Sequence, residues 1–195
     1  MQTLQQLQQR LNQVQDRLES EAFLTNKELG GEIGFYIFDY APEHELAVRE
    51  HLAQLAKKLE SRSEFTGKRF ANINLFEMVI EFLKHQSLLQ DAYEMHMSDG
   101  DDALFEALEG PLDHNLFADF IVDKHEVNTC DFILITGLGS AWPVIRGHGL
   151  LNALHAKVGN KPTVMFYPGE YDGAALKPFG RIESNNYYRA FKLVS

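Results

Sequence analysis

The sequence predicts an α/β fold, a mainly parallel sheet of about four to five strands flanked by helices. Short apolar runs of strand length alternate along the chain with segments whose apolar residues recur every three or four positions, as on one face of a helix. The apolar runs show little polar alternation, which is typical of parallel strands buried on both faces. No repeat, linker or break in composition divides the chain, so we expect residues 1–195 to form a single domain.

An amphipathic helix is predicted at the N-terminus, within residues 1–22, with Thr3 as its N-cap. Its narrow apolar stripe consists of Leu4, Leu7, Leu11, Val14 and Leu18. Such a stripe is typical of a helix that docks on its own domain. The long Gln-rich polar face leaves open the alternative of a coiled coil or of a helix that faces a partner protein.

Aromatic and aliphatic residues fill the first predicted strand, residues 33–40. Pro42 follows and suits the start of a helix over residues 43–61. The apolar residues of that helix are Leu46, Val48, Leu52, Leu55 and Leu59. A second strand is predicted at 70–74 and a helix at 75–85. The predicted buried stripe of the latter helix is Phe76, Val79, Ile80 and Leu83.

The middle of the chain, residues 88–127, is acidic and has a helical pattern that breaks at 98–100 and at 110–111. Glycine and proline at these breaks favour separate helices. The remaining predicted elements are, in order, a strand at 132–138, a helix at 147–158, a strand at 162–167 and a final strand at 187–194.

Charge and hydropathy argue against several classes of protein. The chain has 28 acidic and 18 basic residues, a formal net charge of -10, so its average field would repel a phosphate backbone and direct nucleic-acid binding is disfavoured. No segment reaches the roughly 20 apolar residues of a membrane span. The polar N-terminus does not resemble a signal peptide, so we expect a cytoplasmic location without membrane contact. Cys130 is the single cysteine, which excludes an internal disulfide bond.

The residues at the carboxyl ends of the predicted strands are the candidate ligand or interface residues, because open parallel sheets bind ligands at that edge. Asp39 and Tyr40 end the first strand, Gly137 and Gly139 follow the third, and Asp172 follows the fourth. We expect these residues to line one common rim of the sheet.

Gly137 and Gly139 stand between a strand and a helix, where backbone N–H groups can bind an anion. Trp142 occupies the place of the third glycine of the dinucleotide-binding fingerprint, and no Gly-x4-Gly-Lys-Ser/Thr sequence occurs. A tight turn is therefore favoured over an anion site.

Arg146 lies beyond the third strand and is a candidate to grip a carboxylate. The carboxylate could belong to a ligand, to Asp39 or to Asp172. A structural salt bridge is the favoured interpretation.

No complete catalytic or metal-binding set is recognisable. His148 and His155 would stand about two turns apart on one helix, too far to share a metal ion. The acidic turn at 99–102 lacks the alternation of a calcium loop, and no nucleophile elbow is present. We therefore predict no catalytic residue, no metal and no cofactor.

Tyr187, Tyr188 and Arg189 belong to an aromatic segment near the C-terminus. Its composition favours an edge strand that completes the sheet. The alternative is a contact surface, because tyrosine and arginine are frequent anchors of protein interfaces.

Several motifs resemble those of the BrxB family. They are EIGFYIFDY at 32–40, LITGLG at 134–139 with WPVIR at 142–146, PGEYDG at 168–173 and NYYRAFKL at 186–193. Members of that family are small components of bacteriophage exclusion (BREX) systems, so the resemblance implies a role in phage defence. It also implies partners among the other BREX proteins, namely a PglZ-like phosphatase-fold protein, a methyltransferase and a large ATPase. It implies no reaction and no catalytic residue. Parts of this family resemble a nucleotide-binding fold without a phosphate loop, so the resemblance implies such a sheet here, in agreement with the missing Gly-x4-Gly-Lys-Ser/Thr sequence.

The favoured interpretation is a non-catalytic adaptor of such a defence complex, with contacts made by the strand-end loops and the aromatic C-terminal segment. The alternative is a nucleotide- or phosphate-binding regulatory subunit that uses Asp39, Gly137, Gly139 and Arg146. A metal-dependent nuclease built on the carboxylates of the rim is a third, less favoured hypothesis.

Overall fold

A computed structural model describes residues 2–26, 34–180 and 190–194 and confirms the predicted α/β class. Its sheet has the order β2-β3-β4-β1-β6, and every pair along this path is parallel. The strands are β1 (Phe35–Tyr40), β2 (Phe70–Asn74), β3 (Phe132–Thr136), β4 (Thr163–Tyr171), β5 (Leu176–Pro178) and β6 (Phe191–Lys192). Because the strands of this path are parallel, their carboxyl ends lie along one rim of the sheet.

The fourth strand is longer than predicted, and β5 was not predicted at all. β4 continues to Tyr171 because β5 pairs antiparallel with its second half, with Gly169 opposite Pro178. A Cβ atom at Gly169 would lie only 2.3 Å from the carbonyl oxygen of Lys177, so glycine permits this close pairing. Three residues that end in proline carry too little strand signal to be recognised from sequence.

The first face of the sheet is covered by helices α1 (Leu4–Glu19), α2 (Glu21–Leu24) and α3 (Glu45–Thr66). Thr3 caps α1 as predicted, in a capping box with Gln6. The stripe of α1 is buried against the strands at Leu7, Leu11, Val14 and Leu18, whereas Leu4 is 54% exposed. In the described structure this helix therefore packs on its own domain through its apolar stripe.

Helix α3 extends past the predicted end at residue 61, and one residue of its predicted apolar face was wrong. Leu46 is 78% exposed. Val48, Leu55 and Leu59 are buried, and Leu46 precedes Val48 by two residues. Two residues correspond to about 200° of helix rotation, so Leu46 points to the opposite side.

The second face carries α4 (Leu75–His85) and the helices that follow it. The bounds of α4 agree with the prediction, and Val79 and Leu83 of the predicted stripe are buried, but Phe76 is exposed and Ile80 is only partly buried. The buried residues of α4 are Leu75, Met78, Val79, Phe82 and Leu83. This set starts at Leu75 and follows helical spacing, so a stripe shifted by one residue was the better choice.

The acidic middle of the chain forms separate helices, as predicted. They are α5 (Leu89–Asp99), α6 (Asp101–Glu109) and α7 (His114–Lys124). The one-turn helix α8 (Leu138–Ala141) and helix α9 (Gly147–Val158) follow β3. Short 3-10 turns occupy Pro42–His44 and Val127–Thr129.

Helices α7 and α9 pack closely where His114 meets Gly149. A Cβ atom at residue 149 would lie 2.6 Å from Nε2 of His114, so only glycine allows this approach. The Nε2 atom is buried and has no hydrogen-bond partner among the described residues. Burial lowers the pKa of His114; Asp113 offsets part of this effect, and the neighbouring charges of Arg146 and His148 add to it.

The free energy of unfolding is expected to decrease as the pH falls from about 7 to about 5. Histidine in the unfolded chain has a pKa of about 6.5, and the pKa of His114 in the folded chain is lower. The unfolded state therefore takes up the proton first as the pH falls. The contribution is present above that pH and is lost below it. Urea unfolding at several pH values measures this dependence, and the free energy of unfolding should change less steeply with pH in His114→Gln than in the wild type. Burial also lowers the pKa of His51 and His125, so part of the slope should remain. An unchanged slope in His114→Gln would contradict the assignment.

Candidate functional site

The candidate site is the rim formed by the carboxyl ends of the parallel strands. Asp39 and Tyr40 are the last two residues of β1 and lie opposite Tyr167 and Pro168 of β4. Successive side chains of a strand point to opposite faces, so the two residues enter different polar networks. We call them the Asp39 network and the Tyr40 network.

The Asp39 network joins β1 to both ends of the described chain. Arg10 of α1 donates to Oδ1 of Asp39 at 2.8 Å and to its backbone oxygen at 2.7 Å. Oδ2 accepts from the backbone N–H of Tyr171 at 3.1 Å and pairs with Lys192 of β6 at 3.3 Å. Arg10 also donates to the backbone oxygen of Val194 at 3.2 Å. Both carboxylate oxygens are thus occupied by donors from the chain itself.

Arg10 is held tightly in this network. Its side chain is 15% exposed and that of Asp39 is 12% exposed. The guanidinium carbon lies 4.6 Å from the centre of the Phe38 ring, within the range of a cation–π contact. The buried Nε atom has no hydrogen-bond partner among the described residues, which costs part of the stabilisation that the other contacts of Arg10 provide.

The Tyr40 network connects β1 to α3 and to the turn after β3. The Tyr40 hydroxyl donates to Oε2 of Glu45 at 2.6 Å. Arg49 donates from Nε to Oε1 of Glu45 at 2.7 Å and from a terminal nitrogen to the Ser140 hydroxyl at 2.6 Å. Burial raises the pKa of the Tyr40 phenol above its ordinary value, and the charge of Glu45 raises it further. Tyr40 therefore stays protonated and acts as a hydrogen-bond donor.

A cleft of about 570 Å³ opens beside the Asp39 network. Its lining residues are Gln2, Arg10, Asp39, Tyr40, Ala41, Pro42, Glu43, Gly169, Glu170, Phe179 and Gly180. Three carboxylates and one guanidinium line it, and the guanidinium is already paired with Asp39. The cleft therefore favours a cationic or neutral group over a phosphate.

Packing requires a glycine at residue 137 and leaves little room for a side chain at residue 139. Gly137 has φ 75°, and a Cβ atom there would lie 2.2 Å from Oδ1 of Asn74, the N-cap of α4. A Cβ atom at Gly139 would lie 3.2 Å from Cγ of Pro168. The helix after Gly137 is a single turn, α8, so it offers little of the N-terminal field that binds anions. The loop thus has the geometry of the tight turn that the sequence favours over an anion site.

Replacing Gly137 by alanine is expected to lower the free energy of unfolding by about 2–4 kcal/mol. Part of the cost is the left-handed backbone, and the rest is the clash with Asn74. Gly67→Ala is the matched control, because Gly67 has φ 66° and no atom within 4 Å of its added Cβ. The control should cost only about 1 kcal/mol in urea unfolding. Equal losses for the two variants would show that the packing of Gly137 on Asn74 has no energetic weight.

The structure does not bring the other predicted residues into the cleft. Asp172 caps a turn, where its carboxylate accepts from the backbone N–H groups of Ala174 and Ala175 at 2.9 and 2.8 Å. These bonds lower the pKa of Asp172. Arg146 is exposed at the start of α9, close to His114. The favoured salt bridge from Arg146 to Asp39 or Asp172 was therefore wrong. Asp39 pairs instead with Arg10 and Lys192, and Asp172 pairs with Lys177. Tyr187, Tyr188 and Arg189 lie outside the described residues.

Comparison with known proteins identifies the family. The family profile described as "BREX protein BrxB" matches residues 71–193. This chain belongs to the BrxB family. The "BREX protein BrxB" of Escherichia coli O9:H4 (strain HS) is 43% identical over 188 residues, which cover 96% of this chain and 92% of that protein. The protein of the same description from Bacillus cereus (strain H3081.97) is 38% identical over 195 residues, 98% of this chain and 99% of that protein. No solved structure matches.

The BrxB match bears on both networks. The profile begins at residue 71, after Arg10, Asp39 and Tyr40, and ends just past Lys192. The similarity to the two BrxB proteins spans nearly the whole chain and so includes the N-terminal part of the site. The Asp39 network therefore joins the segment matched by the profile to the segment that precedes it.

Sequence reasoning found Asp39 and Tyr40 but missed their partners, Arg10, Glu45 and Lys192. Arg10 lies in the first helix, and Glu45 lies in the first turn of α3. The one signal in the sequence was the position of Arg10 next to the buried residues Leu7 and Leu11, which indicates that its side chain starts near the sheet.

Two further findings concern the described part of the chain only. Within it, no group of three or more His, Cys, Asp or Glu side chains is placed to hold a metal ion. No helix in that part is long and apolar enough to cross a bilayer.

Proposed function

We propose that this BrxB-family protein is a non-catalytic adaptor that holds other BREX proteins together in a phage-defence complex in the cytoplasm. Membership of the family supports the system, since both relatives are named BREX proteins. The observation that carries the adaptor role is the state of Asp39. It occupies the place where open parallel sheets hold ligands, yet both of its oxygens are bound by the protein.

A carboxylate that acts as a general base or as a metal ligand has to present an oxygen to a substrate or a cation. Asp39 instead joins α1, β4 and β6. The Tyr40 network uses the adjacent position to join β1 to α3 and to Ser140. The rim thus stabilises the fold, and the surface around it is left for contacts with other proteins.

The cleft beside Asp39 supplies such a contact surface. Glu43 and Glu170 are exposed on its wall. Phe179 forms an edge-to-face pair with Trp142, with ring centres 5.2 Å apart, which gives the same region an aromatic element. Acidic and aromatic groups together fit a lysine- or arginine-bearing segment of a partner protein. The partners implied by the family are the PglZ-like protein, the methyltransferase and the large ATPase.

The test is recovery of the other BREX proteins on a tagged chain that is co-expressed with them. The wild type should retain at least one of them at a fixed ratio. Charge reversal in the cleft, with Glu43→Lys and Glu170→Lys combined, should lower that recovery several-fold, whereas Glu60→Lys on the exposed side of α3 should not. The proposal fails if the wild type retains none of them, or if the purified chain alone turns over nucleotide or DNA.

A further inference from the structure

Helices α5 and α6 form a hairpin that contributes little to the core. Gly100 is the one residue between them, with φ 85°. No residue of α5 is buried, and Leu108 is the one buried residue of α6. The base of the hairpin contacts the core through Leu88, Leu89, Ala92 and Leu104, which are partly buried. The rest of its surface is open among the described residues.

The hairpin is strongly acidic. Residues 88–109 contain seven carboxylates and neither lysine nor arginine. They are Asp91, Glu94, Asp99, Asp101, Asp102, Glu106 and Glu109. The whole chain has a net charge of -10, so most of its excess negative charge is concentrated in this one structural unit. Such a local field attracts a positively charged surface and accelerates its encounter.

The same hairpin exposes two large apolar side chains. Tyr93 is 60% exposed and Met97 is 67% exposed. They are four residues apart on α5 and therefore neighbours on one side of the helix. Tyrosine and methionine are enriched in the centres of protein interfaces, where they are surrounded by polar residues. The hairpin presents this arrangement, with Glu94 beside the pair.

We propose that the α5–α6 hairpin is a docking surface for a basic surface on another BREX protein, with Tyr93 and Met97 at its centre and the carboxylates around them. The inference rests on the adaptor function and adds a second contact surface, on the opposite face of the sheet from α1 and α3. The charge argues against the other occupants. Seven carboxylates repel a nucleic-acid backbone, and they equally repel the same hairpin of a second copy.

A photo-crosslinker tests the position of the contact. Met97 is replaced by benzoylphenylalanine in the full chain, which is co-expressed with the other BREX proteins and irradiated. We expect one crosslinked product, with a BREX protein whose crosslinked region is rich in lysine and arginine. Phe65, which is 88% exposed near the end of α3, is the matched control position and should give no such product. A crosslink to a second copy of this chain, or no product at Met97, overturns the inference.

Binding measurements then test the chemistry with the partner so identified. The combination of Tyr93→Ala and Met97→Ala should weaken the affinity at least about tenfold, with Phe65→Ala as control. Asp91→Lys combined with Glu94→Lys should slow association and reduce its dependence on salt, whereas Glu60→Lys should not. Thermal unfolding should change little, because these residues are exposed and only Asp91, in the first turn of α5, and Glu94, which accepts from Gln90, have local roles in the helix.

The outcomes separate this inference from the adaptor proposal. Recovery of a BREX partner by the wild type and equally by the Tyr93→Ala, Met97→Ala variant overturns the hairpin surface and leaves the adaptor proposal intact. Recovery of no partner by the wild type overturns both.

Discussion

Asp39→Ala is expected to lower the free energy of unfolding by about 2–4 kcal/mol. Removing one partner of a buried ion pair is costly chiefly because the other charge stays buried. Here Arg10 would remain 15% exposed beneath the Phe38 ring with fewer acceptors. The estimate lies below that for a fully buried pair, because a small part of both side chains reaches water. Denaturant unfolding measures the loss, and the dependence of the free energy of unfolding on denaturant concentration is compared with that of the wild type.

Two variants make this result specific. Asp119→Ala removes an exposed carboxylate that pairs with Lys157 and should cost at most about 1 kcal/mol. Asp39→Asn keeps an acceptor for the N–H of Tyr171 and should fall between the wild type and Asp39→Ala. A loss in Asp39→Ala no larger than that in Asp119→Ala would show that the network does not stabilise the fold, and would remove the observation that carries the adaptor proposal.

Leu11→Ala should cost about 2–5 kcal/mol. Leu11 is 1% exposed between α1 and the sheet, so its truncation removes apolar contact and leaves a cavity. Leu4→Ala is the matched control in the same helix, because Leu4 is more than half exposed and its truncation should change stability by no more than about 0.5 kcal/mol. Urea unfolding of both variants gives the comparison. Equal stability would mean that α1 is free of the domain in solution, as the alternative of a partner-facing helix requires.

The strands were predictable because a strand that is buried on both faces gives a nearly continuous apolar run in the sequence. In β1, Phe35 and Ile37 enter one core cluster, while Tyr36 and Phe38 enter the other. Asp39 at the rim is the one charged residue of β1, and the other positions are apolar or aromatic, which distinguishes this strand from a half-exposed one. The predicted bounds of β2, α4 and α9 agree with those of the structure.

Helix faces were harder, because two adjacent phases of an apolar-rich helix satisfy the same spacing. In α4, Phe76 was predicted to face the core, whereas Met78 is buried and Phe76 is exposed, and which of them faces the core depends on where β2 places the first turn. Sequence alone does not contain that orientation. The same holds for Leu46, whose position is fixed by the 3-10 turn at Pro42–His44.

The partners of Asp39 were beyond local reasoning. Arg10 is 29 residues away along the chain and Lys192 is 153 residues away, so no periodic pattern connects them. The glycine loop was predictable in its position, but the reason for Gly137 was not, since the clash that excludes a Cβ comes from Asn74 at the end of another strand. Charge counts could single out the acidic hairpin, but the exposure of Tyr93 and Met97 required the structure.

The hydrogen bond from Arg10 to Val194 spans 184 residues. Closing a loop of that length has a high entropic cost in the unfolded chain, so the contact forms only after the intervening sheet has brought its ends together. A ribosome releases residues in order, at about 5–20 per second. In a nascent chain, the carboxylate of Asp39 consequently lacks its Lys192 donor until about 150 further residues have been synthesised. Assembly of the rim is thus complete only after residues 192–194 have been synthesised, and a chain stalled before residue 190 leaves the Asp39 carboxylate at the rim without its Lys192 donor.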